Sequence, residues 1–206
     1  MVVIVDYGVG NLFSLKSSLC AVGAEVTVSA DAEVIRGAER IILPGVGAFG
    51  DAVKKLRDCG LFEVLREVAD KGTPMMGICL GMQLLFDKSF EYGEHEGLGL
   101  IQGEIRPISE VIGKGLKVPH IGWNGLSFVG EHPLFEGLSE GDCVYFVHSF
   151  YGAKCEESVI ATAEYGAPLT AAVAKGNVMG CQFHPEKSGN VGLRILKNFC
   201  KEGRIC

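Results

Sequence analysis

The sequence predicts an α/β fold: an open, mostly parallel sheet with helices on both faces, and an additional antiparallel portion in the second half. Three observations carry this. Four early segments are short, β-branched and almost wholly apolar, the pattern of strands buried on both faces. Helix-like stretches lie between them, so strand and helix alternate over the first 90 residues. Beyond that point the chain becomes glycine-rich, with shorter extended pieces joined by turns.

In chain order, Val2–Asp6 is the first expected strand. Asn11–Val22 follows as a helix, with apolar positions Leu12, Leu15, Leu19 and Val22 and with Asn11 as its N-cap. Glu25–Ser29 and Arg40–Pro44 are the second and third strands. Asp51–Arg57 and Leu61–Ala69 read as helices, Pro74–Cys79 as the fourth strand, and Leu80–Phe86 as the helix after it. Gly93–Gly103 and Gly113–Gly130 are glycine-rich. Cys143–His148, Ser158–Glu164, Thr170–Ala174 and Asn177–Phe183 look like strands linked by turns. A last helix, about Val191–Lys201, sets Leu193, Leu196 and Phe199 on its apolar positions. No repeat, low-complexity tract or linker divides the chain, so one domain over residues 1–206 is expected.

Composition narrows the function. Apolar residues make up 48% and charged residues 21%, the balance of a soluble globular protein. A net charge of −6 argues against a nucleic-acid binder. The start, MVVIVDYGVGN, has no basic region and carries Asp6 within its apolar stretch, unlike a signal peptide. The longest apolar run, Pro74–Phe86, is too short to span a membrane, so a cytoplasmic protein is expected. None of the eight cysteines forms a C-x-x-C pair. They are expected to be mostly small buried hydrophobes in a reducing compartment, with no metal.

Gly77-Ile78-Cys79-Leu80-Gly81 falls where the fourth strand turns into a helix. Gly-x-Cys-x-Gly has the form of a nucleophile elbow, with cysteine in place of serine. The turn is sharp, and side chains two residues to either side would collide with neighbouring strands. The helix N-terminus then aims free N–H groups at the sulfur, which favours thiolate. A buried cysteine between two convenient glycines is the plainer alternative. Late in the chain, Cys181-Gln182-Phe183-His184-Pro185-Glu186 follows an extended run. Residues i and i+2 of an extended chain face the same side, so His184 and Glu186 can both address one site. Cys79, His184 and Glu186 would supply a nucleophile, its base and the base's orienter. A surface His-Pro-Glu turn is the alternative. His95 and His132 sit in polar stretches and are expected to be solvated, whereas His120 and His148, near strand ends, can line a cleft.

Pro44-Gly45-Val46-Gly47-Ala48-Phe49-Gly50-Asp51 ends the third strand. It lacks the P-loop pattern, and the first strand's Gly8-Val9-Gly10-Asn11-Leu12-Phe13 lacks the last glycine of a dinucleotide fingerprint, so no cofactor is expected. The third and fourth strands should end at one sheet edge. A backbone N–H of Val46 or Gly47, with that of Leu80, could then hold an oxyanion. A plain turn is the alternative.

Gly-Ile-Cys-Leu-Gly-Met-Gln with a late His-Pro-Glu resembles the class I (triad) glutamine amidotransferases. Within that class, Asp6-Tyr7-Gly8-Val9-Gly10-Asn11, Pro44-Gly45-Val46-Gly47-Ala48-Phe49, Gly122-Trp123-Asn124 and Tyr145-Phe146-Val147-His148-Ser149 are similar to the histidine-biosynthesis branch, the glutaminase subunits of imidazole glycerol phosphate synthase. The resemblance covers essentially the whole chain and implies a flavodoxin-like sheet. It implies that Cys79 forms a glutamyl thioester, that His184 carries the proton to departing ammonia, and that Glu186 orients His184. It also implies that Gln83, Glu91 and Ser149, with the Gly47 backbone, hold the amino-acid end of glutamine. Asn11, Trp123, Tyr145 and Lys187 match positions facing the partner, a TIM-barrel cyclase subunit that receives the ammonia through a channel. Phe150 stands where many relatives carry tyrosine, so it is expected to act as a wall without a polar contact.

Overall fold

The structure, a computed structural model, describes residues 1–201; Cys206 lies outside the described residues. Its main sheet begins with four parallel strands, β1 (Val2–Val5), β2 (Val26–Ser29), β3 (Arg40–Leu43) and β4 (Met75–Ile78). The helices between them are α1 (Leu12–Ala21), α2 (Ala32–Arg36), α3 (Phe49–Asp58) and α4 (Leu61–Asp70), and α5 (Leu80–Leu84) follows β4. Every residue of β1 and β4 is buried, which is why these strands read as unbroken apolar runs. The sheet order is β2-β1-β3-β4-β14-β13-β12-β9, where β14 spans Val178–Cys181, β13 Pro168–Lys175, β12 Val159–Glu164 and β9 Ser127–Phe128. Pairing is parallel as far as β14 and antiparallel beyond it, in agreement with the expected α/β sheet and its antiparallel portion.

The period of two along the strands divides the core. Val3, Val5, Ile41, Leu43 and Met75 point to one face, under α2, α3 and α4. Val2, Ile4, Ile42, Met76 and Ile78 point to the other, where α1 contributes Leu15 and Leu19. The last helix, α6 (Gly189–Cys200), adds Ile195, Leu196 and Phe199 to that second face. Asn11 caps α1 as expected, its side chain accepting the Ser14 N–H at 3.3 Å.

Two smaller sheets come from the glycine-rich half. One is four-stranded, ordered β11-β7-β5-β6, from β5 (Phe86–Ser89), β6 (His95–Glu96), β7 (Ile101–Pro107) and β11 (Phe150–Ala153). The other pairs β8 (His120–Gly125) with β10 (Cys143–His148), antiparallel, with Trp123 opposite Tyr145 and His120 opposite His148. No helix among the described residues is long and apolar enough to cross a membrane.

Two expectations change. Cys20, Cys59 and Cys143 are exposed, while Cys79, Cys155 and Cys181 are buried. His95 and His132 are half-buried: His95 packs its ring against Gly50 and Phe49. His132 accepts the Leu134 N–H at 3.2 Å through Nδ1 and lies against Phe135, and burial lowers its pKa. Polar neighbours in sequence did not keep these rings in water, because His95 stands beside Phe49 of α3 and His132 beside Phe135 across a turn.

Candidate active site

The site is built on the contact between β4 and β14. These strands run parallel and adjacent, with Gly77 opposite Gly180 and Ile78 opposite Cys181. The Cys79 N–H continues the ladder to the Cys181 carbonyl at 2.8 Å. Cys79 and the segment Gln182–Glu186 therefore leave the same end of the sheet side by side, where open α/β sheets form their sites.

Cys79 has φ 55° and ψ −111°, a backbone conformation that a non-glycine residue rarely holds. Strain of this kind costs roughly 1–3 kcal/mol and persists only where the surroundings enforce it. Here they do. A Cβ on Gly77 would lie 2.4 Å from the Gly81 carbonyl oxygen, and one on Gly81 would lie 1.8 Å from that of Leu43. Both glycines are thus required by close backbone approach, as the elbow pattern predicts. The Cys79 sulfur lies 3.9 Å from the Val147 carbonyl and accepts the Gln182 side-chain N–H at 3.7 Å.

His184 is buried and lies beyond the end of β14. Its Nδ1 donates to Glu186 Oε1 at 2.8 Å, and its Nε2 is buried with no hydrogen-bond partner. The backbone holds it twice more: its N–H donates to the Tyr145 carbonyl at 2.9 Å, and its carbonyl accepts the Ser188 hydroxyl at 2.6 Å. The local conformation differs from the uniform extension expected. His184 is extended, but Pro185–Lys187 form a 3₁₀ turn, and that turn swings the Glu186 carboxylate back under the imidazole. Burial by itself would lower the His184 pKa. The Cys79 sulfur and the Glu186 carboxylate outweigh it and raise the value to about 9.

A cavity of about 360 Å³ opens over these groups, lined among others by Val46, Gly47, Cys79, Leu80, Gln83 and His184. Leu80 is the first residue of α5, so its N–H has no acceptor within the helix. Val46 and Gly47 reach the cavity because Gly45 presses on the start of α5, where a Cβ would meet the Gly81 nitrogen at 2.8 Å. The three expected oxyanion positions therefore border one space with the sulfur.

Gln83, Glu91, Ser149 and Phe150 line the same cavity. Gln83 is buried, and its Nε2 donates to the Phe150 carbonyl at 3.3 Å and to Gln182 Oε1 at 2.9 Å. Glu91 Oε2 accepts the Phe49 N–H at 2.6 Å and so caps α3, whose own N-cap residue, Ala48, gives no side-chain bond. Burial raises the Glu91 pKa against the pull of that N–H. Lys187 also lines the cavity, with its ammonium 5.8 Å from the Tyr145 ring centre. Trp123 stacks edge-on to Tyr145 at 6.2 Å, 59% exposed. Lys187, Tyr145 and Trp123 thus form one strip running outward from the cavity. Asn11, at the N-terminus of α1, borders a small recess together with Val46, His184 and Glu186.

Two polar residues at the site, Gln182 and Ser188, escaped sequence reasoning, whereas His148 was expected to line a cleft. Gln182 is fully buried and bonds the sulfur. Ser188, also buried, ties Tyr145 to His184. His148 lines the cavity, and burial, opposed by its bond to the Phe150 carbonyl, lowers its pKa to about 4. Gln182 was within reach of the alternation rule: it stands two residues before His184, as Glu186 stands two after. Among the described residues no group of three or more His, Cys, Asp or Glu is placed to hold a metal ion.

Comparison with known proteins bears on this geometry. A family model described as "Glutamine amidotransferase class-I" matches residues 3–202. The chain is 50% identical over 205 residues to the "Imidazole glycerol phosphate synthase subunit HisH" of Wolinella succinogenes, covering 98% of this chain and 100% of that one. It is 50% identical over 199 residues to the protein of the same name from Aquifex aeolicus, covering 96% and 94%. Among solved structures, a glutamine amidotransferase superposes with a TM-score of 0.75 at 23% identity, covering 97% of this chain and 99% of that one. PurLQS from Thermotoga maritima superposes with a TM-score of 0.73 at 21% identity, covering 96% of each chain. At these identities the structural likeness concerns the fold alone.

Proposed function

The chain belongs to the class I glutamine amidotransferases, and on that premise we propose that it is the glutaminase subunit of imidazole glycerol phosphate synthase, one domain across the whole chain, working in the cytoplasm. It hydrolyses glutamine to glutamate and ammonia. The ammonia passes to a cyclase subunit, a TIM barrel bound as the second half of a heterodimer. That subunit makes imidazole glycerol phosphate and aminoimidazole carboxamide ribotide.

Each residue has a role in the reaction. The Cys79 sulfur attacks the side-chain amide carbon of glutamine, and the carbonyl oxygen becomes an oxyanion. The Leu80 N–H and that of Val46 or Gly47 stabilise it. With its pKa near 9, His184 carries a proton at neutral pH. It gives that proton from Nε2 to the amide nitrogen, the C–N bond breaks, and ammonia leaves a glutamyl thioester. The sulfur no longer bears charge and His184 has lost its proton, so the imidazole is now a base. It takes a proton from water, and the hydroxide releases glutamate and restores the sulfur. Glu186 keeps Nδ1 protonated throughout, which leaves Nε2 to face the reactants. Gln83, Glu91 and Ser149 hold the amino-acid end of the substrate, and Asn11, Trp123, Tyr145 and Lys187 meet the cyclase.

The observation that carries the reading is the buried pairing of His184 with Glu186 beside the strained Cys79, in a chain half identical over its length to the synthase subunits. Glycines in the Pro44–Gly50 loop allow a peptide flip that completes the oxyanion site only in the docked complex, and Gly47 already has φ 97°. The test mixes the chain with a cyclase subunit and measures glutamate release. Very low release alone, with strong stimulation by the cyclase and its nucleotide ligand, is expected. Full activity of the isolated chain would overturn the coupling. Complementation of a histidine auxotroph separates this branch from glutaminases of anthranilate, aminodeoxychorismate or guanylate synthesis.

A further inference from the structure

Gln182 has no part in the scheme above, yet its side chain is fully buried and its amide reaches the reacting sulfur. We propose that Gln182 is a positioning residue for the nucleophile: its side-chain N–H donates to Cys79 Sγ, holds the sulfur in place and favours its thiolate form. This assignment rests on the reading of Cys79 as the nucleophile.

The two ends of an amide have nearly the same shape, so the neighbours decide which one faces the sulfur. A backbone carbonyl can only accept, and that of Phe150 faces two groups. These are His148 Nδ1 at 2.8 Å and Gln83 Nε2 at 3.3 Å, and both must therefore be donors. With its nitrogen placed there, Gln83 turns a second N–H on Gln182 at 2.9 Å, where only the amide oxygen can receive it. The Gln182 nitrogen is left facing Sγ at 3.7 Å. The same constraint extends outward through the imidazoles. His148 has its proton on Nδ1, so its Nε2 accepts from His120 Nδ1 at 3.0 Å, and His120 Nε2 meets the Asn124 amide at 3.4 Å. One acceptor-only carbonyl thus orients the buried polar groups on both sides of it.

This orientation is chemically selective. A thiol needs an acceptor for its proton, which the Val147 carbonyl offers at 3.9 Å. A thiolate needs donors, and Gln182 supplies one from the protein interior, on strand-anchored backbone whose N–H bonds Ala171 O at 2.8 Å. Donors to an anion strengthen as its charge develops.

The test is site-resolved alkylation by iodoacetamide, read by mass spectrometry over a range of pH, with exposed Cys143 as internal control. The titratable groups around the sulfur stay unchanged in the variants: His184 and Glu186, His148 on β10, Cys181 in β14, Tyr7 after β1, and Glu91 and Lys187 at the cavity. In Gln182→Met, alkylation of Cys79 at neutral pH should fall about tenfold or more, and its pH midpoint should move upward, with Cys143 unaffected. Gln182→Glu should move the midpoint further, because a carboxylate opposes the thiolate. An unmoved midpoint in either variant that keeps the parent's melting temperature overturns the proposal. In the unsubstituted protein, the Gln182 side-chain NH₂ resonance should follow the pH at which Cys79 becomes reactive; a resonance indifferent to that pH also overturns it. Failure of the underlying reading looks different: Cys79→Ala would retain glutaminase activity with the cyclase.

Discussion

At the scale of single residues, the elbow is the most constrained place in the molecule. The clash that a Cβ on Gly81 would make is with backbone, the Leu43 carbonyl at 1.8 Å, so no side chain can move aside to relieve it. Gly81→Ala is expected to destabilise the fold by about 3 kcal/mol or more, measured by urea unfolding, and to lower activity in the fraction that still folds. His184 gives a second prediction. Its folded pKa of about 9 lies above the ordinary value of 6.5, so the folded state holds the proton more tightly than the unfolded chain does. The resulting stability is complete below pH 6.5 and drains away as pH rises to about 9. It is on the order of 3 kcal/mol, to be read as the difference in pH dependence of urea unfolding between the parent and His184→Asn. The glycines around Cys79 were legible because a strand-to-helix turn permits nothing larger there. Alternation places Gln182 on the same side as His184, two residues before it, but neither composition nor periodicity says which group a buried amide bonds. Its role appears only when the Phe150 carbonyl fixes which end faces the sulfur.

At the scale of elements, legibility followed length and burial. The strands from Val2, Val26, Arg40 and Met75 each lie within a residue or two of their expected bounds: those from Val2, Arg40 and Met75 are enclosed on two faces and show up as apolar runs, and the half-buried edge strand Val26–Ser29 shows its β-branched residues. The five-residue α2 went unread. It buries a single residue, Ile35, which is too little for a period to show. Its signal is local: Asp31 Oδ1 accepts the N–H groups of Glu33 at 2.7 Å and Val34 at 3.3 Å. Asp31→Ala should cost about 1 kcal/mol of unfolding free energy, with little effect on catalysis, since α2 packs on α4 away from the cavity. The strands β5, β7 and β11 were hidden for another reason. They pair with each other outside the main sheet, and β5, Phe-Asp-Lys-Ser, buries only its two ends.

At the scale of the whole molecule, the cavity and the exposed aromatic strip form one working surface. Trp123 and Ile121 stand two residues apart on β8 and share a face, 59% and 58% exposed. Large apolar side chains left in water suit a docking surface, the role proposed above for Trp123. Trp123→Ala should weaken cyclase binding by about 2 kcal/mol, roughly thirtyfold in Kd by titration calorimetry, and leave the melting temperature of the isolated chain nearly unchanged. Tyr145 joins this surface to the chemistry, since its ring meets Trp123 while its carbonyl takes the His184 N–H. The sequence located both ends of that link, but the hydrogen bond between them sets β10 beside the segment that follows β14, a placement that local pattern does not encode.

The contact of β4 with β14 has a consequence for the order in which the protein becomes itself. Neighbours in the sheet, these strands are a hundred residues apart in the chain, and everything between them must be made before they can meet. During synthesis the half bearing Cys79 emerges first, with β4 as an open edge and no imidazole near the thiol. A nascent chain therefore holds Cys79 without the groups that act on it, beside a sheet edge that invites wrong partners. Arrival of β14 closes that edge and delivers His184 and Glu186 in the same event. Sealing the sheet and arming the nucleophile are one step, so a ribosome-bound fragment that ends before Val178 should bind no cyclase productively and hydrolyse no glutamine.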